Sequence, residues 1–142
     1  MKPTLLLRIA SVLSLLHCVL HTIGRVFGSP KHGAEEVAVI ETMKTLHFAV
    51  MGSMRSYWDF LFGYGLFATI ALLVEAILFW RLAAFAKTNP AWTRSIVGLF
   101  CFNFVGVAII VSWKYFFIAP AVAELLIAAC LAMAFVTAGA AV

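Results

Sequence analysis

Charge is what this sequence has least of. Asp, Glu, Lys and Arg make up 11% of its 142 residues and hydrophobic residues 65%, with a mean hydropathy of +1.08. A soluble domain is about 25% charged and about 45–50% apolar, so too little polar surface remains here to clothe a water-facing shell. A soluble globular domain and a disordered chain are both excluded. The three cysteines, Cys18, Cys101 and Cys130, all lie inside apolar stretches. An odd, buried set of this kind argues against a disulfide framework and for small hydrophobes. Basic residues outnumber acidic ones, 10 to 6, yet they form no run, so they read as topology signals and not as a nucleic-acid footprint. There is no internal repeat, no Walker loop, no nucleophile elbow, no HExxH and no CxxC.

What fills the chain is four long apolar runs, Leu5 to about Val26, about Tyr57 to Phe85, about Ser95 to Phe117, and Pro120 to Val142. A helix needs about 20 apolar residues to cross the hydrocarbon of a bilayer. The sequence therefore predicts an all-α polytopic membrane protein, with one domain over 1–142 and four transmembrane helices in an antiparallel bundle. The four prolines punctuate it. Pro3 precedes span one, Pro30 lies in the first connection, Pro90 sits in the Lys87-Thr88-Asn89-Pro90 turn, and Pro120 fits the first turn of span four, where its missing N–H is harmless. Tyr57, Trp58, Trp80, Trp92, Trp113 and Tyr115 mark the same edges, as an interfacial aromatic belt does.

The start of the chain has the flavour of a signal peptide, but no small-x-small cleavage site precedes Gly24 and the apolar run is long, so a retained first span is expected. The first connection, Phe27 to Arg55, is the only long one. Within it Gly33-Ala34-Glu35-Glu36, followed by Val37, Ile40, Met43 and Leu46, predicts a short amphipathic helix whose acids lie at its start and Lys44 and His47 near its end. It reads first as an interfacial helix on the membrane surface and second as a lid over a site. Basic residues divide evenly between the two faces, and distance from the span ends tips the reading towards both termini on the cytoplasmic side.

Polar groups inside a span cost ~2.5–3.5 kcal/mol each for a central Asp, Lys or Arg, so each needs a partner or a purpose. At ~1.5 Å per residue, His21 and Glu124 fall at one depth, ~7 Å below the face of the first connection, and His17 and Asn103 at a second, ~13–15 Å. Ala10, Ser14, His17, His21, Gly24 and Gly28 recur at alternating steps of four and three, a narrow seam of small residues and histidines that should face protein. His17, His21, Asn103 and Glu124 are accordingly the expected polar pocket, with Tyr64, beside Gly63 and Gly65, as a further ligand-binding residue. His17 and His21 share a helical face, and with Glu124 they would make a three-ligand site suited to Zn or Fe. The competing reading has both histidines as neutral packing residues bonded to Asn103, Ser14 or a backbone carbonyl. Haem fits less well, because two histidines one turn apart on one helix cannot clamp opposite faces of a ring. Glu75 is expected to form a structural ion pair with Arg8. Lys114 is placed to pair with Glu124 in competition with a metal, and Ser56-Tyr57-Trp58-Asp59 has the spacing of a capping box.

Three segments carry a resemblance. His17-Cys18-Val19-Leu20-His21-Thr22-Ile23-Gly24, Met51-Gly52-Ser53-Met54-Arg55-Ser56-Tyr57-Trp58-Asp59-Phe60 and Trp113-Lys114-Tyr115-Phe116-Phe117 resemble an uncharacterised family of small bacterial four-helix integral membrane proteins. The resemblance covers nearly the whole chain and implies the four-span layout without an activity. By hydropathy the chain is also similar to DoxX-like four-helix membrane proteins.

Three functional readings follow. The first is a binding module in the bacterial inner membrane, holding a metal ion or a small amphiphile such as a lipid or quinone between helices, under the cover of the first connection. The second is an accessory subunit, docking through the small-residue seam on a larger membrane complex or a further copy. The third is a metal-dependent oxidoreductase or hydrolase. It ranks last because multi-histidine membrane metalloenzymes need more ligands than this chain offers.

Overall fold

The computed structural model describes residues 2–139. The end of the expected fourth span, Ala140 to Val142, lies outside them. Helix α1 runs Pro3–His21 and continues as a π-helical stretch over Thr22–Val26. After it come α2 (Ala34–Thr45), strands β1 (His47–Val50) and β2 (Ser53–Ser56), and α3 (Tyr57–Phe85). Helix α4 starts at Pro90–Gly106, passes through a π-helical stretch, Val107–Ser112, and closes at Trp113–Tyr115; α5 is Ile118–Gly139. Four helical stretches, Pro3–Val26, Tyr57–Phe85, Pro90–Tyr115 and Ile118–Ala138, are long and apolar enough to cross a membrane. The architecture is that of an all-α, multi-pass membrane protein.

The observed ends follow local chemistry. Pro90 opens α4 behind Asn89, five residues earlier than the hydropathy suggested, and Thr93 turns both its N–H and its hydroxyl onto the Asn89 carbonyl, at 3.1 and 2.9 Å. Pro120 lies in the first turn of α5, where it displaces no hydrogen bond. Helix α3 begins with the capping box expected from its spacing. The Ser56 N–H donates to Asp59 Oδ2 at 2.8 Å while the Asp59 N–H donates to Ser56 Oγ at 3.2 Å, so two donors that the helix start would orphan are satisfied reciprocally.

The chain folds as two compact units, Met1–His17 with Leu72–Val142, and Cys18–Ala71. In the first, one core draws on all four long helices. Leu6, Leu7 and Ala10 of α1 meet Phe79, Leu82 and Ala83 of α3, Val97 and Phe104 of α4, and Ile127, Ala128, Leu131 and Ala134 of α5. Phe79 is fully buried and meets Phe100 edge-on, with ring centroids 5.2 Å apart. The Ser11 hydroxyl donates to the Ala76 carbonyl at 2.6 Å, tying α1 to α3, and Gly98 leaves room for the Phe135 ring, which a Cβ would meet at 3.0 Å. Ser11, Ser14, Thr93, Ser112 and Glu124 are buried, whereas Leu15, Leu16, Val74, Ile77, Leu99, Phe102, Leu125 and Leu126 are exposed. Polar groups inside and aliphatic groups outside is the distribution expected where lipid is the solvent.

The second unit contains an element that hydropathy did not predict. Strands β1 and β2 pair antiparallel, His47 opposite Ser56 through Val50 opposite Ser53, around a two-residue turn at Met51 and Gly52. Both turn residues have positive φ, 47° and 80°, the requirement of a type I′ hairpin turn. Helix α2 forms close to where it was expected. Its half-buried face is Glu36, Ile40 and Met43, however, while Val37 and Leu46 are exposed.

Candidate functional site

The polar seam of α1 is real over its first half and then changes face. Ala10 and Ser14 are buried and His17 and His21 half-buried, but Gly24 and Gly28 are exposed; Ser11, Cys18 and Val26 take the inward positions. The cause is the π-helical stretch Thr22–Val26, where the Phe27 N–H reaches back to the Thr22 carbonyl at 3.1 Å. Wider i→i+5 turns move a residue four places on away from its expected face. At the entry to this stretch the Thr22 hydroxyl donates to the Cys18 carbonyl at 2.7 Å, a side-chain bond of the kind that bends helices.

In the Cys18–Ala71 unit this end of α1 is bonded to α3. Cys18 Sγ donates to the Thr69 carbonyl at 3.4 Å, the Thr22 and Thr69 hydroxyls lie 3.1 Å apart, and the His21 Nε2–H donates to the Gly65 carbonyl at 3.1 Å. Gly65 is buried, and a Cβ there would stand 3.4 Å from the Val26 side chain, so the glycine admits both neighbours. With a carbonyl as its partner, His21 must carry its proton on Nε2, which removes that nitrogen as a metal ligand. A backbone carbonyl is one of the partners expected of His21.

The metal set His17, His21 and Glu124 does not assemble. Among the described residues no group of three or more His, Cys, Asp or Glu side chains gathers closely enough to hold an ion. Asn103, the fourth member of the expected pocket, is exposed, because Val97, Phe104 and Ala108 occupy the inward face of that helix. Tyr64 is exposed as well. The expected Arg8–Glu75 ion pair is not formed, since the ion pairs among the described residues are His32–Glu36 and Lys44–Glu41. The Arg8 guanidinium instead lies over the Trp80 ring, 5.0 Å from its centroid, where an aromatic face and an interfacial position both suit a cation. Lys114 likewise sits over the Tyr115 ring, at 5.2 Å, and makes no ion pair with Glu124.

Glu124 itself is deeply placed, 6% exposed, with the buried Ser112 as its neighbour and Glu75 within electrostatic reach. Its Oε2 has no hydrogen-bond partner among the described residues, and neither has the fully buried Ser14 hydroxyl.

The place with room is elsewhere, in the Cys18–Ala71 unit. A cleft of about 550 Å³ is bounded by the end of α1 (Gly24, Arg25, Gly28), the following Ser29 and Pro30, the first turns of α2 (Glu35, Glu36, Val39, Ile40) and the start of α3 (Trp58, Leu61). This volume lies in the range of small-molecule sites, about 300–1,000 Å³. Each wall has a reason. Gly28 must be glycine because a Cβ would collide with the Gly24 carbonyl, whereas a Cβ on Gly24 would meet nothing within 4 Å and would project into open space. Glu36 is committed to structure. Its Oε2 accepts the backbone N–H groups of Lys31 and His32, both at 2.7 Å, and His32 Nδ1 approaches at 3.2 Å. Those two backbone donors, His32 first, hold its carboxyl below the usual carboxylate range. Trp58 is fixed by Lys44, whose ammonium lies 5.1 Å from the ring centroid while also bonding Glu41 at 2.9 Å.

That leaves Arg25, half-buried, and Glu35, neither of which forms an ion pair among the described residues, as the free charges of the cleft. Val39, Ile40, Trp58 and Leu61 make its apolar side. Arg25 was assigned only to topology in the sequence, and Glu35 to the helix dipole. The signal that could have found the cleft is the pair Gly24 and Gly28 around Arg25 at a span end, with Trp58 at the start of the next span. No family model, no curated protein and no solved structure matches the chain.

Proposed function

We propose that the protein is a membrane binding module for a small amphiphile of the lipid class, whose head is held in the cleft of Arg25 and Glu35 and whose apolar part lies along Val39, Ile40, Trp58 and Leu61. The observation that carries this reading is a cleft of about 550 Å³ at the end of a span, with an unpaired guanidinium on one side and an apolar wall on the other. A guanidinium suits a phosphate because it donates in a planar fork, and the nearby Glu35 carboxylate favours a head that also carries an amine. Helix α2 supplies four of the lining residues, which makes it a wall of the site and not only a surface helix. A neutral quinone would leave the charges unanswered. The finer placement belongs to the same proposal: a bacterial inner membrane, with both termini on the cytoplasmic side.

The test is binding of a short-chain phosphatidylethanolamine to detergent-purified protein, followed by tryptophan fluorescence. Wild type should show saturable change that is lost in Trp58→Phe and weakened about tenfold in Arg25→Gln, the loss expected for a charge-assisted hydrogen bond. Gly24→Phe should fill the cleft and abolish binding while leaving the melting temperature unchanged, since nothing stands near that Cβ. Equal binding by wild type and Gly24→Phe would overturn the assignment.

A further inference from the structure

We propose that α4 carries a homodimer interface on its outer face, in which Asn103 of one copy hydrogen-bonds to Asn103 of a second. Asn103 stands midway along the span-length stretch Pro90–Tyr115, roughly 18–20 Å from either end at 1.5 Å per residue. It is exposed, and its side chain makes no hydrogen bond among the described residues. Asn103 is also the only amide or charged side chain among the described residues to be exposed at the middle of a span. In water such an amide would need no comment. In hydrocarbon its two N–H groups and its carbonyl have nothing to bond, a cost of several kcal/mol, and its central position puts snorkelling to either interface out of reach.

The surroundings specify the occupant. Leu99, Asn103 and Gly106 recur at steps of four and three and so share one helical stripe, with Phe102 beside it. Leu99 is 69% and Phe102 80% exposed, and a Cβ built on Gly106 meets nothing within 4 Å. The opposite face of α4 is already used, Val97 and Phe104 lying in the core and Cys101 Sγ reaching the Ala128 carbonyl at 3.6 Å. A single amide within an apolar stripe, next to a glycine that lets backbones approach, is the pattern by which helices associate in lipid. The partner must offer a donor and an acceptor at the same depth. A second copy inserted with the same topology does this by symmetry, because its Asn103 lies at that depth and an amide is complementary to itself.

The experiment measures energy transfer between donor- and acceptor-labelled copies reconstituted in phosphatidylcholine vesicles, as a function of the protein-to-lipid ratio. Wild type should give saturable transfer at dimer stoichiometry. Asn103→Leu should weaken association about tenfold, Asn103→Gln should keep it within threefold, and Gly106→Leu should weaken it by blocking approach. All three should retain the wild-type circular dichroism, since Asn103 and Gly106 make no side-chain contact that the fold needs. Transfer in wild type that only tracks random crowding, or dimerisation undiminished in both Asn103→Leu and Gly106→Leu, would overturn the proposal; a monomer that co-purifies with a different membrane protein would assign the stripe to that partner instead.

Discussion

The imidazole of His21 donates to the main-chain carbonyl of Gly65 at 3.1 Å, one helix bonding to the backbone of the next across a position that has no side chain. The bond sets the tautomer of the histidine and explains why the glycine is there. His21→Ala should lower stability in detergent by about 1 kcal/mol, the usual net value of such a bond, and leave the metal content of the purified protein unchanged. Gly65→Ala should be nearly neutral, because its Cβ would reach ordinary contact with Val26, while Gly65→Leu should be strongly destabilising. Thermal melts and elemental analysis check all three.

Two serines one turn apart on α1 should behave oppositely. The Ser11 hydroxyl bonds the Ala76 carbonyl, so Ser11→Ala should cost about 1 kcal/mol. The Ser14 hydroxyl is fully buried with no hydrogen-bond partner among the described residues, so Ser14→Ala removes an uncompensated polar atom and should be neutral or stabilising by up to about 1 kcal/mol. Melting temperatures of the two variants, measured side by side, decide it.

At the hairpin tip Met51 is fully exposed with φ 47°, a conformation that costs an ordinary L-residue about 1–2 kcal/mol. Met51→Asn should recover part of that and slow proteolytic nicking of the 47–56 segment, with no loss of contacts. Met51→Val should do the reverse.

The turn before α2 should open in acid. Backbone donors hold the Glu36 carboxyl below its ordinary range, so the ordering it provides is fully present above the ordinary carboxylate pKa and is lost as pH falls through the lowered value of the folded state. The protection factors of the Lys31 and His32 amides, corrected for the intrinsic pH dependence of exchange, should fall over that interval in wild type. In Glu36→Gln they should be low throughout and should show no such step.

Hydropathy made the four spans legible because the solvent imposes them. Twenty apolar residues with proline and aromatic punctuation leave few alternatives, and boundaries at Tyr57, Phe85 and Pro120 were readable to within a few residues. The capping box at Ser56 and Asp59 was readable because its chemistry is local. Faces were harder. Regular spacing placed Gly24 and Gly28 with His17 and His21, but the π turns of Thr22–Val26 shift that phase, and nothing in the residues themselves announces an i→i+5 turn. Asn103 was assigned inward on the general cost of an amide in lipid, which shows that a depth estimate fixes level but not direction. The hairpin went unseen because Met is a poor signal for positive φ, and only Gly52 spoke for the turn. The cleft is not legible in the sequence because it needs the end of α1, the turn after it, α2 and the start of α3 to meet, and Arg25 and Glu35 each have a simpler local explanation.

The two π-helical stretches have a bearing on how this chain can change in length. Each carries more residues per turn than its neighbours, so a single deletion within Val107–Ser112 has a regular α-helical geometry to fall back on, with every N–H still paired inside the helix. Insertions and deletions in most proteins are absorbed at surface loops. Here the spare residue is kept inside a membrane-length helix, towards its Tyr115 end and in the stretch that carries the buried Ser112, and losing it would narrow that turn while leaving the faces of the flanking helix in place.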